Sequence, residues 1–443
     1  MGMLQKPFGD LITFTRLSAA GYWNWQAVYT MAAANEPRIN HDPATLSISE
    51  TSVTLGAGEH TFATNHLYVV GTVLRASADA DNWMTGRVIA ASEGSVTIAV
   101  TGVQVRGSGT YTSWTLIVRL GIRVEEQRTN LLTYSSDFAN AAWTKGLGVV
   151  LATDDMLAPD GSVAQRVDLA SDIRHELQKG VPPLAVGTTY TLSIWVRPKT
   201  TPFPFQLGYY DGGSAINANQ PTPVAGKWTR ISYTFTPTRL ASNPLIRLVG
   251  YSNGADGDSL YIWGAQLEAG SFPTSLIHTE GSQVTRAADI ASVNDLAPWY
   301  NPEQGTLFVE WAHISELVPA GTAQYVVGLF GGNAVTDFVN IQRNASEVIQ
   351  GLSSVGGVDQ GPIDAKLAAD TRSHRAAMSV SADGRYISVD GSSVLTGPQT
   401  ATPVFDRMFI GNRWDGIRAT NGHIRSIRVY PRAMPDQLQA LTA

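Results

Sequence analysis

Short runs in which apolar and polar residues alternate recur along the chain. Val96, Ile98 and Val100 alternate with Thr97, Ala99 and Thr101. A period of two predicts a strand with one face buried. In TYTLSIWVRP, Leu192, Ile194 and Val196 form one face, and Thr191, Ser193, Trp195 and Arg197 form the other. Comparable runs follow in PFQLGYYDGG, KWTRISYTFTP, PLIRLVGYS and SLYIWGAQLE. Turn residues separate them at intervals of about 15 to 20 residues, as a β-sandwich requires. Further on come GTLFVEWAHI, QYVVGLFGG, HRAAMSVSADGRYISVDGSSVL, RMFIGNRW and GHIRSIRVY. Asp383-Gly384 joins two alternating runs as a hairpin, and Asp390-Gly391 turns the chain again. Long helical stretches are missing. Asp137 is placed to cap a short helical turn through Ala142, and a short helix is expected at the C-terminal end. The predicted class is all-β and multidomain: tandem β-sandwiches behind an N-terminal β region that carries a small inserted β domain.

Length and composition agree. A chain of 443 residues suggests about three domains. With 42 Gly, 22 Pro and 15% charged residues, it has the make-up of a turn-rich β protein. The expected divisions are an N-terminal region over 1–45 that continues at 120–128, and an inserted β domain over 46–119. A sandwich over 129–280, a linker over 281–297 and a second sandwich over 298–443 follow. The net charge of -6 and scattered Lys and Arg argue against a nucleic-acid partner. With no cysteine, neither disulfides nor thiolate metal sites can form. That fits assembly in a reducing cytoplasm followed by release. The N-terminus lacks the apolar core of a secretory signal. No run of about 18 apolar residues predicts a membrane-spanning helix.

Catalytic patterns are sparse. The eight histidines show no paired zinc spacing, and no nucleophile elbow, Walker loop or dinucleotide fingerprint occurs. Asp256, Asp383 and Asp390 read as turn formers, although two carboxylates in a groove would be what a glycosidase needs. A non-enzymatic protein is expected. Aromatic residues are the better lead, because a flat Trp or Tyr matches the apolar face of a sugar ring. Trp195, with Arg197 beside it, stands on the otherwise polar face of its strand. Tyr209, Tyr210, Tyr251 and Trp263 are candidates for the same sheet. The plainer alternative is that these rings cover the back of the sandwich or a subunit contact. Farther along, Asn412, Arg413 and Trp414 follow a strand end at Gly411 and could read sugar hydroxyls. The competing reading is an ordinary loop packed on Trp414. The charged cluster Arg123, Glu125, Glu126 and Arg128 is either a clamp between domains or subunits or a solvated strand.

Several longer strings carry a family resemblance. They are FTRLSAAGYWN, ANEPRINHDP, EEQRTNLLTYSSDFANAAWTK and YIWGAQLEAGSFPTSLIHTEGSQVTRAAD. Their layout resembles head-spike, head-fibre and tail-fibre proteins of tailed bacteriophages and of gene transfer agents. Those proteins carry a carbohydrate-binding-module-like jelly roll. The order of HRA, DGRYISVDG, FIGNR and GHIRSIRVY resembles the concanavalin A-like and laminin-G-like lectin fold. The resemblance implies a virion-surface protein, assembled in the bacterial cytoplasm, that binds host capsule or lipopolysaccharide. It implies attachment to other virion proteins through the N-terminal region. It also implies a homotrimer, or a pentamer at a capsid vertex. The segment over 46–119 departs from that layout. Related jelly rolls often hold a structural calcium, and Glu268 lies where one ligand could sit. No other cofactor is implied. Two functional alternatives stand beside adsorption: a structural decoration or collar protein without glycan binding, and a polysaccharide depolymerase.

Overall fold

The alternating runs become strands, and the protein is all-β. The computed structural model describes residues 13–15, 20–23, 29–32 and 39–443, except 65, 69, 71, 147, 170–174, 200–204, 212, 214, 221, 249–256, 297–299, 314–322, 332–335, 368–369 and 371. Val96, Ile98 and Val100 are buried along the Ser95–Arg106 strand, as their period requires. Ser373–Ser381 and Gly384–Val389 pair as the hairpin expected at Asp383-Gly384. A helix closes the chain at Leu438–Thr442. The turn near Asp137 is not helical: its carboxylate accepts the Asn140 N–H at 3.2 Å within a chain of turns.

The chain divides into two compact units. One comprises Ser18–Gly21 and Gln127–Ala287. It holds two five-stranded antiparallel sheets. The first sheet runs in the order Val149–Ala152, Gln165–Leu169, Ser259–Ala269, Tyr190–Pro198, Thr229–Phe235. The second runs Thr144–Lys145, Leu177–Gly180, Leu245–Leu248, Phe205–Tyr210, Ala215–Gln220. Leu192, Ile194 and Val196 from one sheet and Leu207, Ile246 and Leu248 from the other share one core. Each such side chain contributes about 1.5–3 kcal/mol by leaving water. The segment expected as a linker holds the Val284–Arg286 strand, which pairs with Arg128–Asn130.

The other unit comprises Met1–Leu17, Tyr22–Glu126 and Ala288–Ala443. An eight-stranded and an eleven-stranded sheet supply its main core, with Val327, Ile341 and Ile410 from one and Val309, Trp311 and Ile424 from the other. The segment read as an independent insert has its own core around Phe62, Met84, Ile98 and Trp114. Its sheet, however, is continuous with that of the C-terminal strands. The reason is one long strand, Trp114–Val124. Its first half pairs with Val73–Ser77 and its second half with Gly422–Tyr430, while Ile39–Ser49 lines its other edge. The divisions expected at 45/46 and 119/120 therefore fall inside strands. Gly121 makes the passage possible. It has φ +111, and a Cβ there would collide with the Ile424 carbonyl.

Candidate functional site

The two sheets of the 127–287 unit turn different outward faces. On the first sheet, Thr191, Ser193 and Trp195 do point away from the core, as the alternation predicts. They are nevertheless buried, with Trp195 at 9% and Trp263 at 2% exposure. The covering is the chain itself, over 271–279. Gln266 Nε2 donates to the carbonyls of Thr274 and Ser275 at 3.4 and 3.3 Å, and Gln266 Oε1 accepts the Ile277 N–H at 2.6 Å. Glu268 accepts the Thr274 N–H at 3.0 Å and its hydroxyl at 2.5 Å. Arg230 donates to the Thr274 carbonyl and to Ser193 Oγ. Leu276 lies against Gly264 next to the Trp195 ring. Asn130 completes the latch, with its amide on the Ala265 and Ile277 carbonyls and its oxygen accepting the Leu132 and Leu267 N–H groups. The expectation that Trp195 and Trp263 form an open sugar platform is thus corrected. They are a second apolar layer under a strap. Glu268 is likewise a latch residue here, with both oxygens engaged by Thr274. Among the described residues no cluster of three or more His, Asp or Glu side chains is placed to hold a metal.

Beyond the strap, the same face carries an ionic network. Tyr261 donates its hydroxyl to Asp154 at 2.7 Å, Lys199 reaches that carboxylate at 3.2 Å, and Arg166 bridges Asp154 and Asp168. The Tyr261 hydroxyl, followed by Lys199, holds the Asp154 carboxyl well below the usual carboxylate range. Arg197 is half-buried on this face, paired across from Tyr261.

The outward face of the second sheet is open in a way the first is not. Gln178, Arg247 and Gly208 pair across three neighbouring strands, so they share one row of one face. In the next row are Gly180, Leu245 and Tyr210. The Arg247 guanidinium sits 5.2 Å from the Tyr210 ring centroid and 3.8 Å from Glu176 Oε1. Gln178 donates its amide to the same carboxylate. Gln206 lies half-buried on this face. A Cβ at Gly180 would meet nothing, so the row is open at its Gly180 end, across Leu245 from Tyr210. The result is a half-exposed ring flanked by guanidinium, amide and carboxylate groups. Those groups supply donors and acceptors side by side, as the hydroxyls of a sugar demand, and the ring supplies a surface for its apolar face.

Tyr210 is therefore the candidate that reaches this face. Its neighbour Tyr209 points the other way, 1% exposed and stacked on Phe235 at 4.6 Å. Burial, then the Asp211 charge, pushes its hydroxyl pKa up. Tyr251 lies outside the described residues. Sequence reasoning missed Glu176, Gln178, Gln206 and Arg247, because it looked for aromatic side chains. The available signal was Arg247 standing between Ile246 and Leu248, which must face away from the core.

In the other unit, the loop after Gly411 is largely satisfied internally. Asn412 is buried and donates to the Asp289 carbonyl. Arg413 is paired with Asp415 and covers the Trp414 ring at 4.6 Å. Trp414 keeps 38% exposure while its edge meets Phe330. Asn412 and Arg413 are thus loop-building residues, and only Trp414 offers surface. In the charged cluster, Glu125 is fully buried against Arg123, and Glu126 exchanges hydrogen bonds with Asn421. Arg128, in the 127–287 unit, lies over the Phe272 ring at 5.1 Å. None of these four belongs to a solvated strand.

Residues 133–252 match the family model described as a carbohydrate binding domain. The strands that build the Tyr210 face lie within that stretch. No curated protein matches the chain. Among solved structures, the chain is similar to the Ruminococcus gnavus IT-sialidase CBM40, with 17% identity over 32% of this chain and 84% of that one, and a TM-score of 0.27. It is similar to the CBM22-1-CBM22-2 tandem domain of Paenibacillus barcinonensis Xyn10C, with 12% identity over 58% and 98% and a TM-score of 0.27. Mouse laminin alpha1 domains LG4-5 give 12% identity over 64% and 96%, with a TM-score of 0.23. These distant likenesses carry no argument about ligand.

Proposed function

We propose that this protein is a non-enzymatic virion-surface fibre or spike protein that binds host polysaccharide through the Tyr210 face. The observation that carries the glycan reading is the grouping of the half-exposed Tyr210 ring with Arg247, Glu176 and Gln178, inside the stretch that matches a carbohydrate binding domain. One ring with a few polar partners binds one sugar weakly. Several copies on one particle would raise avidity by roughly 10²–10⁴, which makes a homotrimer the natural form for adsorption. The virion setting, with the protein displayed outside a phage or gene transfer agent particle, rests on the resemblance of its sequence strings to fibre and spike proteins. Capsule or lipopolysaccharide is the expected ligand.

The test is retardation of the purified full chain in gels containing bacterial capsule or lipopolysaccharide, and competition with particles for cell binding. Tyr210→Ala should weaken retardation about tenfold, the value of one lost ring contact of about 1.4 kcal/mol. A wild-type protein that ignores every capsule and lipopolysaccharide offered would sink the reading and favour a structural decoration protein. Release of reducing ends from capsule would favour a depolymerase.

A further inference from the structure

One strand beside Trp114–Val124 reverses the usual alternation. At the end of Ile39–Ser49, Leu46 and Ile48 are exposed, Ile48 at 57%, while Ser47 and Ser49 are buried. Burying serines and leaving aliphatic side chains in water is unfavourable on both counts. The serines are satisfied inside. Ser47 Oγ lies 2.8 Å from Thr64 Oγ1 and 2.7 Å from the Tyr68 hydroxyl, and Ser49 Oγ lies 3.0 Å from Thr51 Oγ1. Leu46 and Ile48 have no such compensation.

The strand lies at a seam. A run of paired strands goes from Ile39–Ser49 through Trp114–Val124, Val73–Ser77, Trp83–Ser92 and Ser95–Arg106 to Gly58–Ala63. The Ser47–Thr64 contact brings the two ends together, and the Ala63 N–H donates to Thr51 Oγ1 at 2.8 Å. Among the described residues no backbone ladder joins those ends. The first strand pairs only with Trp114–Val124 and the last only with Ser95–Arg106. An open groove of about 780 Å³ lies at this seam. Ile48 and Glu50 line it from one end, Thr64 and Leu67 from the other, and Glu93 from the turn before Ser95. Leu67 is 67% exposed. No Lys or Arg is among the described lining residues, and neither Glu50 nor Glu93 forms an ion pair or a side-chain hydrogen bond among the described residues. Asn65, Val69 and Gly71, close by in the chain, carry no charge either.

We propose that this groove docks an extended, basic segment of a partner protein, with aliphatic side chains against Ile48 and Leu67 and Lys or Arg facing Glu50 and Glu93. Ile48 and Leu67 offer no flat ring for a sugar face, and they suit another aliphatic side chain. Carboxylates without a counter-ion complement a cationic partner. Unpaired strand edges at the seam offer backbone groups to a segment in extended form, whose alternate side chains then reach the apolar and acidic positions. All of these residues belong to the unit without the Tyr210 face, so the proposal stands apart from the glycan reading. It gives the 46–119 segment a role as a docking module.

The experiment measures fluorescence anisotropy of labelled peptides with the full chain. One peptide alternates Lys with Val, a second Glu with Val, and a third Lys with Ser. The Lys–Val peptide should bind about tenfold or more tighter than either of the others, and less tightly with added salt. Glu50→Lys with Glu93→Lys should weaken that binding about tenfold or more. Ile48→Ser with Leu67→Ser should do the same. The melting temperature should be unchanged in both, because these side chains are exposed. The proposal is overturned if the Lys–Val peptide is not bound, if the Lys–Ser peptide is bound equally well, or if either double variant binds like the wild type. Self-association of the chain that Leu67→Asp abolishes would overturn it in favour of a second copy. Loss of glycan retardation in Ile48→Ser with Leu67→Ser would overturn it in favour of a sugar.

Discussion

The two outward faces of the 127–287 unit begin from the same pattern and end with different roles. Each has a strand whose apolar positions enter the shared core and whose other positions face away. On the first sheet, the away side holds Trp195 and Trp263, and the chain folds back over them through Gln266, Glu268 and Asn130. On the second sheet, the away side holds Gln178, Arg247 and Tyr210, which stay half-exposed. The larger aromatic surface is therefore structural and the smaller one is available. An aromatic residue on a polar strand face marks a surface that something covers; whether it is the chain or a ligand depends on the neighbouring segment.

The largest test of this contrast is Trp263→Ala. Emptying a buried indole site should cost about 3–5 kcal/mol in denaturant unfolding. If stability is barely changed and glycan affinity is lost instead, the strap does not cover that face. Next is Glu268→Gln, which weakens the contacts to Thr274. A loss of about 1.5–3 kcal/mol is expected, together with faster proteolysis within 271–279. An unchanged cleavage rate would remove Glu268 from the latch.

The ionic end of the strapped sheet gives a pH test. Asp154 has a depressed pKa when folded, so its contribution is present above the ordinary carboxylate pKa of about 3.9 and is lost as pH falls below it. The melting temperature should drop on acidification through that range, and Asp154→Asn should flatten the drop. On the open face, Arg247→Ala should lower glycan affinity about tenfold with a stability change near 1 kcal/mol. A large stability loss with unchanged affinity would make Arg247 a scaffold residue. The smallest effect is expected for Trp414→Ala. Its partial exposure predicts less than about 1 kcal/mol of destabilisation and no change in retention by the Tyr210 ligand. A clear loss of binding there would move the site to the other unit.

Much of the fold was legible because alternation reports burial directly. Val96, Ile98 and Val100 point inward as their spacing requires, and Asp383-Gly384 turns the chain where expected. The 46–119 segment was harder. Nothing in its local pattern says that Trp114–Val124 is one strand serving two cores. Strand pairing between distant segments is set by which edges meet, and a period of two is silent on that. The site was half legible for a similar reason. Tyr210 stood out as an aromatic, whereas Glu176, Gln178 and Arg247 look like ordinary surface residues until the register sets them in adjacent rows.

The sequence alone determined the all-β class, the inward positions of most strands and the presence of aromatic residues on polar faces. Those follow from local backbone geometry, since successive side chains on a strand alternate sides. Only the tertiary structure decided that Trp195 and Trp263 lie under residues 271–279 and that Tyr210 does not. Those outcomes depend on what packs against each face, and that is fixed by contacts between residues far apart in the chain.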